Sequence, residues 1–334
     1  MKLAELGEFG FIDTIAARAA RSGGVTVGIG DDAAATVPTP GMSLLTTADL
    51  LAEGVHFRRD WSDPYTLGRK SLAVNLSDIA AMGGIPRYAL LSLAVPEELP
   101  LEFLDRFVSG FLDQADRFGV ALIGGDTSAS RGGLFINVTL MGEQYPETIV
   151  TRGGAKVGDL VCVSGTLGDS ALGLEGLRRG EKPAGALARH LDPEPRVGLG
   201  RALAEAALPT AMIDVSDGLV ADLGHILELS GQGGRVEVAA LPLSPEYRSG
   251  CGRLGIDPYA CCLGGGEDYE LLFTLPADRL GEARSVADAA GVPVTAIGEI
   301  VAETGLVLVA PDGGRFDALF KGYDHFRPSS LSRG

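Results

Sequence analysis

Short acidic stretches beside glycines or hydroxyl residues recur seven times along this 334-residue chain. They are Gly28–Asp32 (GIGDD), Thr46–Asp49 (TTAD), Asn75–Asp78 (NLSD), Gly124–Asp126 (GGD), Asp214–Gly218 (DVSDG), Gly264–Asp268 (GGGED) and Lys321–Asp324 (KGYD). Aspartates on tight turns after apolar runs can converge on hard cations, and grouped hard cations are typical of phosphate chemistry. Any one stretch alone is better explained as a turn or a helix cap, but seven together indicate a metal-assisted phosphate site.

Composition restricts the kinds of protein that this chain can be. Hydrophobic residues make up 46% of the sequence, and 334 residues are enough for two domains with their own cores. The 28 basic residues are outnumbered by 44 acidic ones, and the net charge of −16 argues against a nucleic-acid-binding surface. No apolar run reaches the length of a membrane span, and the N-terminal stretch lacks the apolar core of a signal peptide. The four cysteines show no CxxC spacing, so we expect a cytoplasmic protein in a reducing compartment.

One early motif imitates a dinucleotide-binding fingerprint. Residues 28–33 (GIGDDA) fit the spacing GxGxxG/A, and Asp49 follows at about the distance of a ribose-binding acid. Pro38 and Pro40 prevent the next residues from forming the helix that would hold a pyrophosphate. Two aspartates in the turn would also repel a bare phosphate, so we reject a dehydrogenase.

Several catalytic motifs are absent from the sequence. It contains no GxxxxGK[ST] loop, no HRD or DFG triplet, no GxSxG elbow and no HExxH pair among its four histidines. Phosphate binding must therefore come from metals and turns, and we expect the substrate to supply the nucleophile. Lys70 and Arg152 read as surface charges, although Arg152 in a glycine-rich segment is also placed to grip a phosphate.

Strands and helices interleave in both halves of the chain. Predicted strands cover residues 43–47, 88–95, 120–123, 134–142, 160–163, 211–215, 270–275, 295–300 and 306–309. Predicted helices cover residues 7–20, 64–83, 101–118, 217–229 and 280–290. The polar, glycine-rich segment 147–158 predicts a boundary between domains 1–148 and 149–334. Because the strands near Ile300 and Leu306 read as a hairpin, we predict an α/β fold of mixed (α+β) sheets rather than one parallel sheet.

Eight motifs in fixed order resemble those of the thiamine-monophosphate kinase family, and the match spans nearly the whole chain. They are GIGDD (28–32), TTADLLAEGVHF (46–57), LGRKSLAVNLSDIAAMGGIP (67–86), LIGGDT (122–127), TRGGAKVGD (151–159), DVSDGL (214–219), GGEDYEL (265–271) and KGYDHF (321–326). Other members of the superfamily, namely aminoimidazole ribonucleotide synthetase, selenophosphate synthetase and the hydrogenase maturation protein HypE, share the aspartate skeleton but not this combination.

The resemblance implies a fold and an activity. The fold would be the two-domain aminoimidazole ribonucleotide synthetase-like fold, with an N-terminal α/β domain that binds ATP and metal and dimerises through its sheet. The C-terminal α/β domain would complete the active site. The activity would be transfer of the ATP γ-phosphoryl group to thiamine monophosphate, giving thiamine diphosphate, in a homodimer with several Mg²⁺ ions. Neither nucleic acid nor a membrane is an expected partner.

The resemblance also assigns roles to individual residues. The family's magnesium ligands fall on Asp32, Thr47, Ala48, Asp49, Asp78, Asp126, Asp214 and Asp217. Its ATP contacts fall on Gly125, Asp126, Arg152 and Ser216, and its substrate contacts fall on His56, Glu267 and Tyr323. Asp31, Asp268 and Asp324 are left as turn residues, and no side chain is assigned as an acid–base catalyst.

Ala48 departs from the family pattern, which has a hydroxyl residue in the middle of its Ser/Thr-Thr-Asp triplet. Either a backbone carbonyl or a water takes the place of that hydroxyl, or one metal is held more weakly. Two other functions remain open beside the kinase. One is an amidine-forming, ATP-dependent cyclo-ligase of the same superfamily, and the other is a nucleotide- or metal-binding module without catalysis. GGEDYEL and KGYDHF favour the kinase over both.

Overall fold

The chain divides into two compact units, which are described here from a computed structural model that covers residues 3–19, 23–181 and 184–315. The N-terminal unit comprises residues 1–79 and 84–147, and the C-terminal unit comprises residues 80–83 and 148–334. The chain passes between the units at residues 79 and 80, at 83 and 84, and again at Glu147 and Thr148. No helix within the described ranges is both long and apolar enough to cross a membrane.

The N-terminal unit is built on a four-stranded mixed sheet. In chain order its elements are α1 (Leu3–Leu6), α2 (Glu8–Ala16), β1 (Val25–Val27), β2 (Ala35–Thr36), β3 (Ser43–Ala52), α3 (Pro64–Ala81), β4 (Ile85–Pro96), α4 (Leu101–Phe118), β5 (Ala121–Ser130) and β6 (Phe135–Gln144). The strand order is β3-β6-β4-β5, in which β4 and β5 are parallel and the other pairs antiparallel. Strands β1 and β2 form a separate antiparallel pair.

Helices α3 and α4 pack closely because glycines meet at their crossing. A Cβ atom on Gly68 would collide with the carbonyl oxygen of Phe107, and one on Gly110 would collide with that of Tyr65. Helix α4 buries an apolar stripe at helical spacing that includes Leu104, while its other face carries charges. Helix α3 is buried along most of its length, so it is enclosed rather than amphipathic. This close packing fixes the helix that carries Asp78.

The C-terminal unit is built on a six-stranded mixed sheet. Its elements are β7 (Asp159–Ser164), α5 (Asp169–Arg178), α6 (Ala184–Leu191), α7 (Val197–Glu205), β8 (Ala211–Asp214), α8 (Leu219–Ser230), β9 (Gly233–Glu237), α9 (Pro245–Leu254), α10 (Pro258–Gly264), β10 (Leu271–Pro276), α11 (Leu280–Ala289), β11 (Val294–Val301) and β12 (Gly305–Val309). The strand order is β12-β9-β11-β7-β10-β8. Only β9 and β12 pair in parallel among these strands. Buried side chains from the sheet and from α8, such as Val163, Ile213 and Leu223, share one apolar core.

The mixed sheets confirm the predicted fold class, but several local predictions are wrong. Asp49 and Asp126 lie inside β3 and β5 rather than on turns after shorter strands. Strands β11 and β12 do not form a hairpin, because β9 lies between them and pairs with both. Helix α8 begins at Leu219 rather than at Asp217, so Ser216 and Asp217 lie in the loop before it. Lys70 is not a surface charge: it is 2% exposed within the enclosed helix α3.

Candidate active site

Two carboxylates and a hydroxyl meet in the N-terminal unit. Strand β3 directs Thr47 and Asp49 to the same face as the buried Leu45 and Leu51, because successive strand residues alternate between faces. Asp78 lies in the last turn of α3, and the Thr47 hydroxyl donates a hydrogen bond to its carboxylate. The strand and the helix therefore bring together three of the predicted metal ligands.

The two acids at this position disfavour each other's negative charge. Burial and, second to it, the charge of Asp78 raise the pKa of Asp49 from 3.8 to about 7. Asn75, one turn before Asp78, is fully buried, and its Oδ1 makes no hydrogen bond to any residue that the structure describes. A hard cation would relieve the repulsion and takes oxygen ligands, so this set of donors fits Mg²⁺.

Two other predicted ligands of this unit lie at the surface. Asp32 is exposed between β1 and β2, and its N–H donates to the Oδ1 of Asp31 at 2.9 Å, which gives Asp31 the turn role expected of it. Asp126 is exposed in β5, opposite Ser92 of β4. Across residues 3–19, 23–181 and 184–315, no three or more histidine, cysteine, aspartate or glutamate side chains form a group that could hold a metal. The wider set of ligands therefore stays a prediction.

Ala48 lies between two predicted ligands but faces the other side of the strand. It is exposed on the same face as Leu44 and Leu50, opposite to Thr47 and Asp49. A hydroxyl side chain at this position would point away from that acidic pair. Only main-chain atoms of residue 48 can lie near the pair.

Two further predicted contacts of this unit depend on local backbone geometry. A Cβ atom on Gly125 would collide with the carbonyl oxygen of Leu91, so β5 approaches β4 there at a distance that only glycine allows. His56 follows β3 and is half-buried, and its Nδ1 accepts the N–H of Ala52 at 3.0 Å. When neutral, the ring therefore carries its proton on Nε2.

In the C-terminal unit, predicted ligands follow strand β8. Asp214 ends this strand and is 2% exposed, while Ser216 and Asp217 lie half-buried in the loop before α8. Arg152 is exposed one residue after Thr151, whose carbonyl oxygen accepts an N–H from β8 at 2.9 Å. The segment that carries Arg152 thus runs beside the strand that carries Asp214.

Glu267 is held by contacts on both its backbone and its side chain. Its φ angle of 64° is uncommon for a residue other than glycine. Its N–H donates to the carbonyl oxygen of Ser216 at 2.8 Å, and its Oε2 lies 3.2 Å from Nδ1 of His190. His190 is 4% exposed and also lies 3.0 Å from Oγ of Ser170. The predicted substrate contact is therefore tied to the loop of the predicted nucleotide contact.

The acids that follow Glu267 are bound by their own chain. Asp268 is buried and accepts the N–H groups of Gly168 and Ser170 at 2.7 and 3.2 Å, which agrees with its expected structural role. Burial raises the pKa of Asp268 from 3.8 to about 7. Glu270 is fully buried against Arg189 and Arg196. Burial alone would raise its pKa, but hydrogen bonds and charge from these arginines hold the pKa below its usual value.

Comparison with known proteins reveals the family of this fold. The profiles of the AIR synthase related protein match this chain twice, the N-terminal domain at residues 30–144 and the C-terminal domain at residues 156–310. The thiamine-monophosphate kinase of Aquifex aeolicus is 38% identical over 98% of this chain and its own whole length. The chain belongs to the thiamine-monophosphate kinase family.

Solved structures of the thiamine-monophosphate kinase family agree with the fold described above. The enzyme from Stenotrophomonas maltophilia K279a has 40% sequence identity and a TM-score of 0.83, and the match covers 92% of this chain and 97% of that one. AaThiL complexed with AMPPCP and TMP has 38% identity and a TM-score of 0.77, and the match covers 98% and 99% of the two chains.

The sequence alone did not indicate two residues of the candidate site, and one residue that it did indicate lies outside the described part of the chain. His190 was not singled out, because its contact with Glu267 joins distant segments through the fold. Asp222 was not singled out either, although its three backbone partners lie only four to six residues before it. The one signal for Asp222 is an acid in the first turn of a helix that follows an acidic loop. Tyr323 lies outside the described residues.

Proposed function

We propose that this protein transfers the γ-phosphoryl group of ATP to thiamine monophosphate, giving ADP and thiamine diphosphate. The observation that carries the proposal is the half-buried pair Asp49 and Asp78, in which Thr47 donates to Asp78, in a chain of the thiamine-monophosphate kinase family. A relative in the same family is complexed with AMPPCP and TMP. The pair gives the chain a place where a cation could meet phosphate oxygens.

The proposed reaction does not need a strong general base from the protein. The acceptor is a phosphate that is already ionised near neutral pH, so no side chain needs to create the nucleophile. The main barrier is repulsion between two anions, which costs several kcal/mol unless their charge is neutralised. The task of the chain is therefore to bind, orient and neutralise.

Magnesium would supply charge neutralisation and fix the phosphates in line. The residues that would hold the ions are Asp32, Thr47, Ala48 through its main chain, Asp49, Asp78, Asp126, Asp214 and Asp217. The acidic pair supports this assignment, since Thr47 already orients the carboxylate of Asp78 from one side. Mg²⁺ keeps several waters, which suits aspartates that each contribute one oxygen.

Separate residues would bind the two substrates. Gly125, Asp126, Arg152 and Ser216 would contact ATP, and His56, Glu267 and Tyr323 would contact thiamine monophosphate. Arg152 is exposed and can place a planar fork on a phosphate. The carboxylate of Glu267 would meet the cationic or hydrogen-bonding part of thiamine. Of these contacts, Gly125, Asp126 and His56 belong to domain 1–148, and Arg152, Ser216, Glu267 and Tyr323 belong to domain 149–334.

We also propose that the protein is a homodimer that pairs through the N-terminal sheet. The face of this sheet opposite Asp49 exposes Leu44, Leu50 and Phe135, whose exposed fractions are 55%, 54% and 38%. Apolar side chains grouped in this way favour contact with another protein surface. Analytical ultracentrifugation of wild type and Leu50→Asp tests it: the variant should be monomeric, and a monomeric wild type would contradict the proposal.

The same activity would be carried out in the cytoplasm. Cys162, Cys251, Cys261 and Cys262 are free thiols, which suits a reducing compartment.

Release of ADP that depends on the second substrate tests the kinase assignment. With ATP and Mg²⁺, thiamine monophosphate should trigger ADP release, while unphosphorylated thiamine and aminoimidazole precursors should not. ADP release with an aminoimidazole precursor would instead favour the cyclo-ligase. No release with any of the three would leave only a binding module.

A further inference from the structure

One buried aspartate of the C-terminal unit holds the loop that carries the predicted nucleotide contact. Asp222 lies in the first turn of α8 and is 1% exposed. Its Oδ2 accepts the N–H groups of Ser216, Asp217 and Gly218 at 3.0, 3.1 and 3.1 Å. Three consecutive backbone groups bonded to one oxygen have little freedom to move. We call residues 215–218 the Ser216 loop.

A second loop is attached to the Ser216 loop by its backbone. The N–H of Glu267 donates to the carbonyl oxygen of Ser216 at 2.8 Å, and the N–H of Tyr269 donates to that of Val215 at 2.9 Å. A Cβ atom on Gly266 would collide with the carbonyl oxygen of Ser216, so the two backbones are in direct contact. Glu267 and Tyr269 both adopt positive φ angles, of 64° and 51°. These contacts stabilise a backbone conformation that residues other than glycine rarely adopt.

We propose that Asp222 is a positioning residue for phosphoryl transfer. Its carboxylate fixes the Ser216 loop and, through that loop, the backbone of Glu267. It therefore orients a nucleotide contact and a substrate contact together without touching either ligand. This inference rests on the proposed roles of Ser216 and Glu267.

An alternative role for Asp222 would be that of a further metal ligand. Asp214 and Asp217 lie near it, and their charges add to burial in raising its pKa. Its Oδ2 accepts three N–H groups, which leaves only Oδ1 for an ion. The positioning role and the metal-ligand role predict different effects of Asp222→Asn, in which the side chain keeps its shape but loses its charge.

Asp159, the first residue of β7 in the same unit, provides a matched control. It is 4% exposed, and its Oδ2 accepts the N–H of Lys156 at 2.9 Å and the hydroxyl of Thr210 at 2.7 Å. It pairs with Pro276 of β10, whereas Asp214 pairs with Leu271 of the same strand. Five residues of strand separate these positions, or about 17 Å. Removal of the Asp159 carboxylate should lower the stability of the fold but leave the Ser216 loop unchanged.

The experiment compares Asp222→Ala, Asp222→Asn and Asp159→Ala with wild type. Calorimetry gives the affinity for AMPPCP with Mg²⁺, initial rates give KM for thiamine monophosphate and kcat, and thermal melting without ligands gives stability. We expect Asp222→Ala to weaken AMPPCP binding at least tenfold and to raise KM for thiamine monophosphate. Asp222→Asn keeps an oxygen for the three N–H groups and should bind AMPPCP within about threefold of wild type. Asp159→Ala should melt earlier but bind AMPPCP as wild type does.

Two results would overturn the positioning role. One is wild-type affinity for AMPPCP in folded Asp222→Ala, which would leave only a structural role. The other is Asp222→Asn as defective as Asp222→Ala, which would mean that the charge matters rather than the position of the loop. If Asp222→Ala does not fold, Asp222→Glu carries the test, since it keeps the charge but displaces the oxygen by one methylene. Wild-type AMPPCP affinity in Asp222→Glu would then overturn the role.

Ser216→Ala and Arg152→Ala separate this inference from the proposed function. If neither variant changes AMPPCP affinity, the assignment of the nucleotide contacts fails. If both weaken AMPPCP binding while Asp222→Ala does not, the nucleotide site stands and only the role of Asp222 fails.

Discussion

Carboxylates of the two units have different charges beside them. Asp49 of the N-terminal unit lies beside a second acid, whereas the buried Glu270 of the C-terminal unit is paired with two arginines. Asp49 faces Asp78, and burial together with this second negative charge raises the pKa of Asp49 to about 7. Burial acts on Glu270 in the same direction, but Arg196 and Arg189 outweigh it and lower the pKa of Glu270.

The difference indicates which carboxylates the fold uses for itself. The charge of Glu270 is balanced by arginines of the same unit, so this carboxylate stabilises the chain directly before β10. Asp49 and Asp78 place two acids side by side, and a cation from solution would balance them. Glu270 thus serves the stability of the fold, whereas Asp49 and Asp78 are suited to a cation. Four substitutions test this difference.

The largest expected effect is on stability, from Glu270→Gln. Removal of its charge leaves Arg189 and Arg196 without their buried counter-ion, so the free energy of unfolding should fall by about 3–5 kcal/mol. Urea denaturation measures it. The control is Glu237→Gln, which breaks an exposed pair with Arg235 and should change stability by less than ~1 kcal/mol. Equal losses in both variants would contradict the contrast.

The second effect is a pH dependence that comes from Asp268. Its pKa is about 7 in the folded protein and 3.8 ordinarily, so the folded state binds this proton more tightly than the unfolded state. The stability that this proton contributes is complete below about pH 4 and is lost as pH rises through 7. The unfolding free energy of wild type minus that of Asp268→Asn should therefore fall by about 2–3 kcal/mol between pH 5 and pH 8. A difference that stays constant or rises with pH in urea titrations would refute this.

The third effect has the opposite sign to the first. In protein freed of divalent cations with a chelator, Asp49→Asn removes one of two adjacent negative charges and should raise the free energy of unfolding by about 1–2 kcal/mol near pH 8. Asp105→Asn, at an exposed acid paired with Arg18, should give no such gain. A loss of stability in Asp49→Asn would show that this acid serves the fold, as Glu270 does.

The smallest effect concerns substrate affinity. His190→Phe keeps a ring but removes the nitrogen that lies 3.2 Å from Glu267, so the KM for thiamine monophosphate should rise about fivefold, or about 1 kcal/mol. The kcat should change little. His225→Gln, at an exposed histidine of α8, is the matched control. An unchanged KM in His190→Phe would mean that this histidine does not orient Glu267.

The sequence predicted features of this molecule that depend on neighbours along the chain. Asp214 closes a strand and Asp78 lies in a helix, as apolar periodicity indicates. Periodicity did not predict that β9 separates β11 from β12, since strand pairing depends on distant segments. The contact of His190 with Glu267 was missed for the same reason. Asp222 was missed although its partners are close in the sequence, because an acid in the first turn of a helix does not show which N–H groups it accepts. Lys70 was assigned to the surface because a lone lysine gives no local sign that its helix is enclosed.

The most direct test of the central claim is formation of thiamine diphosphate from ATP and thiamine monophosphate as Mg²⁺ is titrated. Wild type should form thiamine diphosphate only when Mg²⁺ is present. Asp49→Asn and Asp78→Asn should be slower by a factor on the order of 10²–10³ at saturating substrates while remaining folded. Asp105→Asn should match wild type. Near-native turnover in both Asp49→Asn and Asp78→Asn, or full turnover of wild type without a divalent cation, would contradict the proposal that this acidic pair holds the metal.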